Sequence, residues 1–420
     1  MSTAAPAPPR LGPRFHALVA ASGAANLGDG IVQVAVPLLA LGLTRAPGQV
    51  ALVSAAAWVP WLVLGLVAGV VVDRSDRRLT QTAALAARAV LLAGATTLAV
   101  TGRLTLPLLV VVVLAYGVTE VLADLAATAL VPELVDPTLL PVANGRLVAV
   151  QQVANAFLGG PLAAGLLVLG TGWALGAPAV LAAVAAVVLV RGVRGTVRSA
   201  PHDARTRAPR AAARAWEEAR AGLGFVARHP VLRPVVLAGA VVNMASTAYF
   251  TVFTLWVVGP GSPVGMTPQT FPLLLVGLAV GAVAGSLTAS GVARRTGEVR
   301  AMVGAYGVAF MLLLVPVLAP HPAAVAGTLV AVGALSAVGN VVNETVRQRV
   351  TPPHLLGRVA GAGRTLVHGL MPVGALLAGL VAGRAGLATA LLGAVGLSVL
   401  AVGALASQVR QRDLPGPGAR

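Results

Sequence analysis

Apolar runs of about 20 residues, the length needed to cross a bilayer, follow one another along almost the whole of this chain. Twelve can be placed, at 16–43, 50–72, 79–101, 105–131, 142–169, 173–191, 231–258, 271–293, 298–319, 323–346, 358–383 and 386–407. They are continuous and lack the alternation of barrel strands, so the expectation is an all-α membrane protein with twelve transmembrane helices. Composition agrees: hydrophobic residues make up 57% of the 420 and charged residues 10%, with mean hydropathy +0.88. A soluble domain does not bury that much apolar surface. There is no cysteine, which excludes disulfides, thiolate metal sites and a cysteine nucleophile. Residues 1–15 are proline-rich and lack a signal-peptide cleavage pattern; they read as a disordered tail ahead of a retained first helix.

The net charge of +17 raises nucleic acid as a partner, and the placement of the charges argues against it. All thirty basic residues are arginine. With a cytoplasmic N-terminus, Arg74, Arg77, Arg78, Arg294, Arg295, Arg300, Arg347, Arg349, Arg358, Arg410 and Arg412 fall inside. Arg45, Arg103 and Arg384 fall outside. That asymmetry is the positive-inside rule, with anionic lipid headgroups as the natural partner. The expected location is the cytoplasmic membrane, multi-pass, with both termini cytoplasmic.

Hydrophobicity collapses between Arg191 and Arg233, where ten arginines stand with Pro201, Pro209, Glu217 and Glu218. This reads as a basic cytoplasmic linker, 192–230, with an amphipathic stretch near 211–228. It separates a first six-helix bundle, 16–191, from a second, 231–409, and a tail follows at 410–420. The halves echo each other. Gly281 and Gly285 follow Gly65 and Gly69 by 216 positions, and Asn243 follows Asn26 by 217. Gly357-Arg358 follows Gly145-Arg146 by 212, and Pro372 follows Pro161 by 211. Two pseudo-symmetric six-helix repeats around a midplane site are a plan of secondary transporters.

Gly65 and Gly69, followed by Asp73-Arg74 and Arg77-Arg78, have the spacing G-x-x-x-D-R-x-x-R-R after the second span. The stretch resembles motif A of the major facilitator superfamily (MFS). The resemblance implies close helix approach at the glycines and a charge-locked gate, in which Asp124 on span 4 pairs with Arg74, Arg77 or Arg78. The second half has Ala289 in place of Asp73, so its copy is degenerate. Gly160, Pro161 and Gly165 lie in a stretch similar to motif C of drug:proton antiporters, with alanines at two of the glycine positions. A plain Gly/Pro packing seam is the other reading of that stretch. Segments such as Asn26–Gly30, Glu120–Asp124 and Ala143–Arg146 resemble an actinobacterial exporter branch that includes macrolide and siderophore efflux proteins.

Ionisable groups within a bilayer are costly and therefore candidates for function. Asp29, in the middle of span 1, either couples proton entry to substrate exit or is a structural carboxyl bonded to a neighbouring helix. Glu120 and Asp124 are four apart, on one face of span 4; Glu120 is the second proton candidate and Asp124 the gate residue. Arg88, on span 3, needs an acidic partner, Glu120 or Asp29. Asn26, Gln151, Gln152, Asn155, Asn243, Tyr249, Phe250, Phe253 and Trp256 are candidates to line a cavity, with lipid or the outer interface as the other reading of the four aromatics. Arg146, Glu344, Arg347, Arg349, Arg358 and Arg364 are expected to snorkel or to bridge the halves. His368 reads as packed and hydrogen-bonded.

With no lysine there is no G-x-x-x-x-G-K-[ST] loop, and no HExxH or G-x-S-x-G motif occurs. No catalytic residue, metal site or cofactor is expected. The functional expectation is a monomeric secondary transporter that exports a small amphipathic or drug-like compound in exchange for protons. The alternatives are a nutrient importer of the same fold and a non-transporting membrane sensor or scaffold.

Overall fold

In a computed structural model of the chain, the structure describes residues 11–193, 220, 223–352, 359 and 366–411, apart from the side chains of 65–71, 73, 74 and 156. Among the described residues, twelve helices are long and apolar enough to cross a membrane. They are α1 Pro13–Leu43, α2 Pro47–Arg74, α3 Arg77–Val100, α4 Leu106–Leu134, α5 Pro137–Leu169 and α6 Thr171–Gly192 in the first half. The second half holds α7 Leu232–Val257, α8 Phe271–Thr296, α9 Glu298–Leu318, α10 Pro322–Val350, α11 Leu366–Ala385 and α12 Leu387–Gln408. Among the described residues there is no strand; Val258 and Met266 form an isolated bridge in the α7–α8 loop. Of the expected linker, 194–219 lies outside the described residues, and 223–228 is helical.

Local chemistry sets the helix ends. Proline opens α1, α2 and α10, where a missing N–H costs nothing. Asp76 caps α3 by accepting from the Leu79 N–H at 3.0 Å. Gly170 and Gly386, 216 positions apart, are each the single residue between the fifth and sixth helices of their half. Both have positive φ, 125° and 89°, so the reversal needs glycine.

Proline disturbs two spans. In α5, Val153–Leu158 is a π-helical turn in which the Gly159 N–H reaches back five residues to the Ala154 carbonyl. Pro161 supplies no N–H for the Phe157 carbonyl, and a widened turn absorbs the mismatch. In α9, helix Glu298–Leu312 gives way to a separate turn, Val315–Leu318, because Pro316 cannot continue the ladder. In the tightened turn the Val317 N–H goes to the Leu314 carbonyl at 3.0 Å, which leaves the Leu313 carbonyl to accept from the Tyr249 hydroxyl at 2.9 Å. The Pro316 carbonyl accepts from the Trp256 indole at 2.8 Å.

The same packing recurs in both halves. The first helix of each packs on the sixth, and the fourth packs on the second and third. Gly117 on α4 meets Pro60 of α2, and Gly333, 216 positions later, meets the Leu278 backbone of α8. Gly281 and Gly285 lie against the backbone of Val330 and Ala334, an approach that any side chain would block. Between halves, α2 meets α11 and α5 meets α8.

The end of the bundle where α1 joins α2 is termed the Arg45 end, and the end where α2 joins α3 the Arg77 end. At the Arg45 end one apolar cluster joins the halves, with Ile31, Val34 and Leu38 packed with Tyr249, Phe253 and Leu391. At the Arg77 end, among the described residues, the clusters are separate. One holds Phe15, Leu18, Leu85 and Leu130, the other Val235, Met302, Val342 and Leu405. Leu79, Val90, Leu287 and Leu400 point outward and are 66–78% exposed, as a lipid-facing belt requires.

Candidate functional site

Asp29 lies between two glycines that press α1 onto its neighbours. A Cβ on Gly28 would stand 3.5 Å from Pro178 of α6. A Cβ on Gly30 would fall on the Asn155 carbonyl, 2.9 Å from the Gly159 Cα of α5. Held on both sides, α1 directs the Asp29 carboxyl toward α3 and α4. There Arg88 donates from Nη1 to Asp29 Oδ1 at 2.6 Å, and the Tyr116 hydroxyl donates to the same oxygen. The guanidinium lies over the Tyr116 ring, 4.9 Å from its centroid. Its Nε donates to Thr119 Oγ1 at 3.2 Å, and the Thr119 hydroxyl donates to the Tyr116 carbonyl at 2.7 Å. Asp29 and Arg88 are 6% and 2% exposed. A charge buried so deeply persists only when paired. Of the two partners expected for Arg88, the geometry selects Asp29.

Glu120 is placed differently. Among the described residues no basic side chain lies within salt-bridge distance of it, and the Trp61 indole faces its carboxyl. Two cavities share it. One, of about 190 Å³, is polar, with Asn26, Asp29, Arg88, Asp124, Gln151 and Gln152 in its lining. The other, of about 340 Å³, lies toward the Arg45 end and is mainly apolar, walled by residues such as Val36, Val53, Trp58, Leu109 and Phe250. Gln33, Ser54, Ser246 and Thr251 supply its polar edges, and Glu120 is its charged group.

Other expected site residues divide. Asn26, Gln151, Gln152 and Phe250 line a cavity. Tyr249 lines neither: it is 1% exposed, bonded to Leu313 and stacked on Phe253 within the core, because the break in α9 offers it a carbonyl. Asn243 turns back on its own helix and donates to the Gly239 carbonyl. Asn155 contributes its backbone to the contact with Gly30. In the motif C-like stretch, a Cβ on Gly160 would stand 3.8 Å from Leu275 of α8 and one on Gly165 would meet nothing within 4 Å, so Gly159 is the packing glycine. His368 of α11 stands 6.2 Å from the rings of both Trp58 and Trp61.

The motif A residues Gly65, Gly69, Asp73 and Arg74 fall in α2, with side chains outside the described residues. Arg77 pairs with Glu133 and also donates to the Ala129 carbonyl at 3.1 Å. Arg78 donates to the Val190 carbonyl at 2.8 Å, and Asp124 accepts from Gln151 at 3.1 Å. In the second half, Arg347 pairs with Glu344 at 2.6 Å and Arg349 with Glu298 at 2.7 Å. These bridges lie within one half and do not join the two, because their acidic partners sit on α9 and α10. Arg358 and Arg364 lie outside the described residues. Across the halves, Arg45 donates to the Val258 carbonyl at 2.7 Å.

Sequence reasoning passed over Tyr116, Thr119 and Trp61. The signal for Tyr116 was available, since Tyr116, Glu120 and Asp124 recur every fourth residue on one face of α4.

Residues 3–415 match the family described as transmembrane secretion effector, of MFS type. An uncharacterized MFS-type transporter, y4rN of Sinorhizobium fredii, is 27% identical over 372 residues, covering 88% of each chain. The fold resembles a bacterial homologue of the human lysosomal transporter Spinster in an inward-facing, unoccupied conformation. That likeness has TM-score 0.69, 13% identity and coverage of 96% of this chain and 98% of the other. The nucleoside transporter NupG is similar at TM-score 0.66 and 14% identity, with 94% and 100% covered. The chain belongs to the major facilitator superfamily of membrane transporters, in the family described as transmembrane secretion effector.

Proposed function

We propose that the protein is a proton-coupled exporter of small amphipathic, basic compounds, and that Glu120 is the carboxyl at which proton and substrate exchange. One observation carries this reading: Glu120 lines both the apolar cavity and the polar one. Asp29 is committed to Arg88 and Tyr116, whereas Glu120 faces no arginine at bonding distance. An apolar chamber with one carboxyl selects a greasy molecule carrying one positive charge. Proton arrival at the same carboxyl releases it, which is antiport by competition.

The arginine-rich Arg77 end is the cytoplasmic one in this reading. The joined cluster at the Arg45 end and the separate clusters at the Arg77 end then correspond to an inward-facing state. The test is uncoupler-sensitive ethidium movement in everted membrane vesicles. Glu120→Gln abolishes it and keeps the protein folded; full proton-driven movement in that variant overturns the assignment. The hydroxyl and amide edges Gln33, Ser54, Ser246 and Thr251 favour a second reading, uptake of a polar nutrient. Sugar uptake by reconstituted protein that moves no ethidium would establish it.

A further inference from the structure

Arg88 stands beside two carboxyls and is hydrogen-bonded to one. Its guanidinium is a planar fork, and three contacts fix its plane: Asp29 at Nη1, Thr119 at Nε, and the Tyr116 ring beneath it. Thr119 is the residue immediately before Glu120 on α4, and Glu120 and Arg88 share the polar cavity.

We propose that Thr119 is a positioning residue that commits Arg88 to Asp29 and so keeps Glu120, the next residue along, out of a direct ion pair and open to proton exchange. This inference rests on the assignment of Glu120 for its role in transport, though not for its geometry.

The threonine is suited to the task because one hydroxyl serves twice. Its oxygen accepts from Arg88 Nε, and its proton goes to the Tyr116 carbonyl, which fixes the hydroxyl's direction. An isosteric valine removes both bonds. The Nε–H, on a side chain 3% exposed, is then a buried donor without a partner, which is costly enough to move the group. A near acceptor is the Glu120 carboxyl in the same cavity. The ionisable groups around Glu120 are Asp29 on α1, Arg88 on α3, and Tyr116 and Asp124 on α4, with His368 on α11 beyond Trp61. Arg88 is the fixed positive charge in this set, so its direction decides which carboxyl is ion-paired.

The experiment reads the protonated fraction of Glu120 directly, without a transported substrate. Dicyclohexylcarbodiimide adds to protonated carboxyl groups in apolar surroundings, and peptide mapping of the purified full-length protein assigns the adduct. Glu120→Gln defines the background. Thr119→Val lowers labelling of Glu120 about tenfold at fixed pH, as expected for a carboxyl that gains a close cationic partner. Thr119→Ser, which keeps the hydroxyl, restores it. Thr119→Ala removes the hydroxyl without the added methyl and gives the same loss, which covers a valine variant that does not fold. Wild-type labelling in both the valine and alanine variants overturns the proposal, as does a wild type in which Glu120 takes no label. If labelling falls as expected while Glu120→Gln still drives proton-coupled ethidium movement, the positioning role stands and the transport reading fails.

Discussion

Glu133, the residue before the last of α4, is bridged to Arg77, the first residue of α3. The second half makes the same bridge with its charges exchanged. Arg349, the residue before the last of α10 and 216 positions after Glu133, pairs with Glu298, the first residue of α9. The polarity matters because helix N-termini favour negative charge and C-termini positive charge. Glu298 and Arg349 agree with both helix ends, and Arg77 and Glu133 oppose both. The helix ends therefore favour the second-half bridge. That bridge is also bidentate, with Arg349 donating to both Glu298 oxygens at 2.7 and 2.9 Å, whereas Arg77 meets one oxygen of Glu133 and shares that nitrogen with the Ala129 carbonyl.

Exchanging the first-half charges tests this directly. The double variant Arg77→Glu/Glu133→Arg adopts the polarity of the second half and gains about 0.3–1 kcal/mol at each helix end. Its melting temperature in detergent rises above wild type, and each single variant melts lower. A double variant that melts like the worse single one would show that the helix ends do not set the ranking.

Gly30 and Gly159 let α1 and α5 touch through their backbones. A Cβ on Gly159 would stand 2.5 Å from the Gly30 Cα and 2.7 Å from its carbonyl carbon. Gly30→Ala and Gly159→Ala each destabilise by about 1–3 kcal/mol, the usual cost of overpacking. Gly165→Ala, in open space, leaves melting unchanged. Thermal denaturation of the three variants separates a packing seam at Gly159 from one centred on Gly165.

The Asp29–Arg88 pair behaves as a unit. Removing one partner strands a buried charge and costs about 3–5 kcal/mol. Asp29→Asn and Arg88→Gln each lower the yield of folded protein, and the double variant recovers a substantial part of it. A double variant that sums the two losses would mean that the residues do not depend on each other.

Arg45 ties the halves at its end of the bundle by donating to the Val258 carbonyl. Gly259, at φ 102°, leaves the space that the guanidinium occupies. Ala40 lines the apolar cavity behind this contact, and the chain has no native cysteine. A cysteine introduced by Ala40→Cys reports access from that end. Arg45→Ala raises its labelling by a membrane-impermeant maleimide several-fold, and an unchanged rate would remove the contact from the closure of this end.

Much of the architecture was legible along the chain. The twelve spans follow from run length, since a helix must bury its backbone polar groups within itself to cross lipid. The two halves follow from glycines repeated 216 positions apart, and the structure adds Gly117 with Gly333 and Gly170 with Gly386 to that register. Asp29, Arg88 and Glu120 stood out because charge is rare among apolar residues.

The allocation of partners was not legible, because it depends on how helices distant in sequence cross. Arg88 had two carboxyls in reach, and the pressing of α1 onto α5 and α6 at Gly28 and Gly30 turned Asp29 toward it. The direction of Tyr249 depended on the Leu313 carbonyl, left free by the break in α9, another helix. Composition and spacing by themselves determined the membrane, the number of spans, the doubling and the short set of buried charges. Which charge is paired and which stands between two cavities was decided only in three dimensions, where a hydrogen bond or ion pair requires atoms about 3 Å apart, far finer than any periodicity in the chain records.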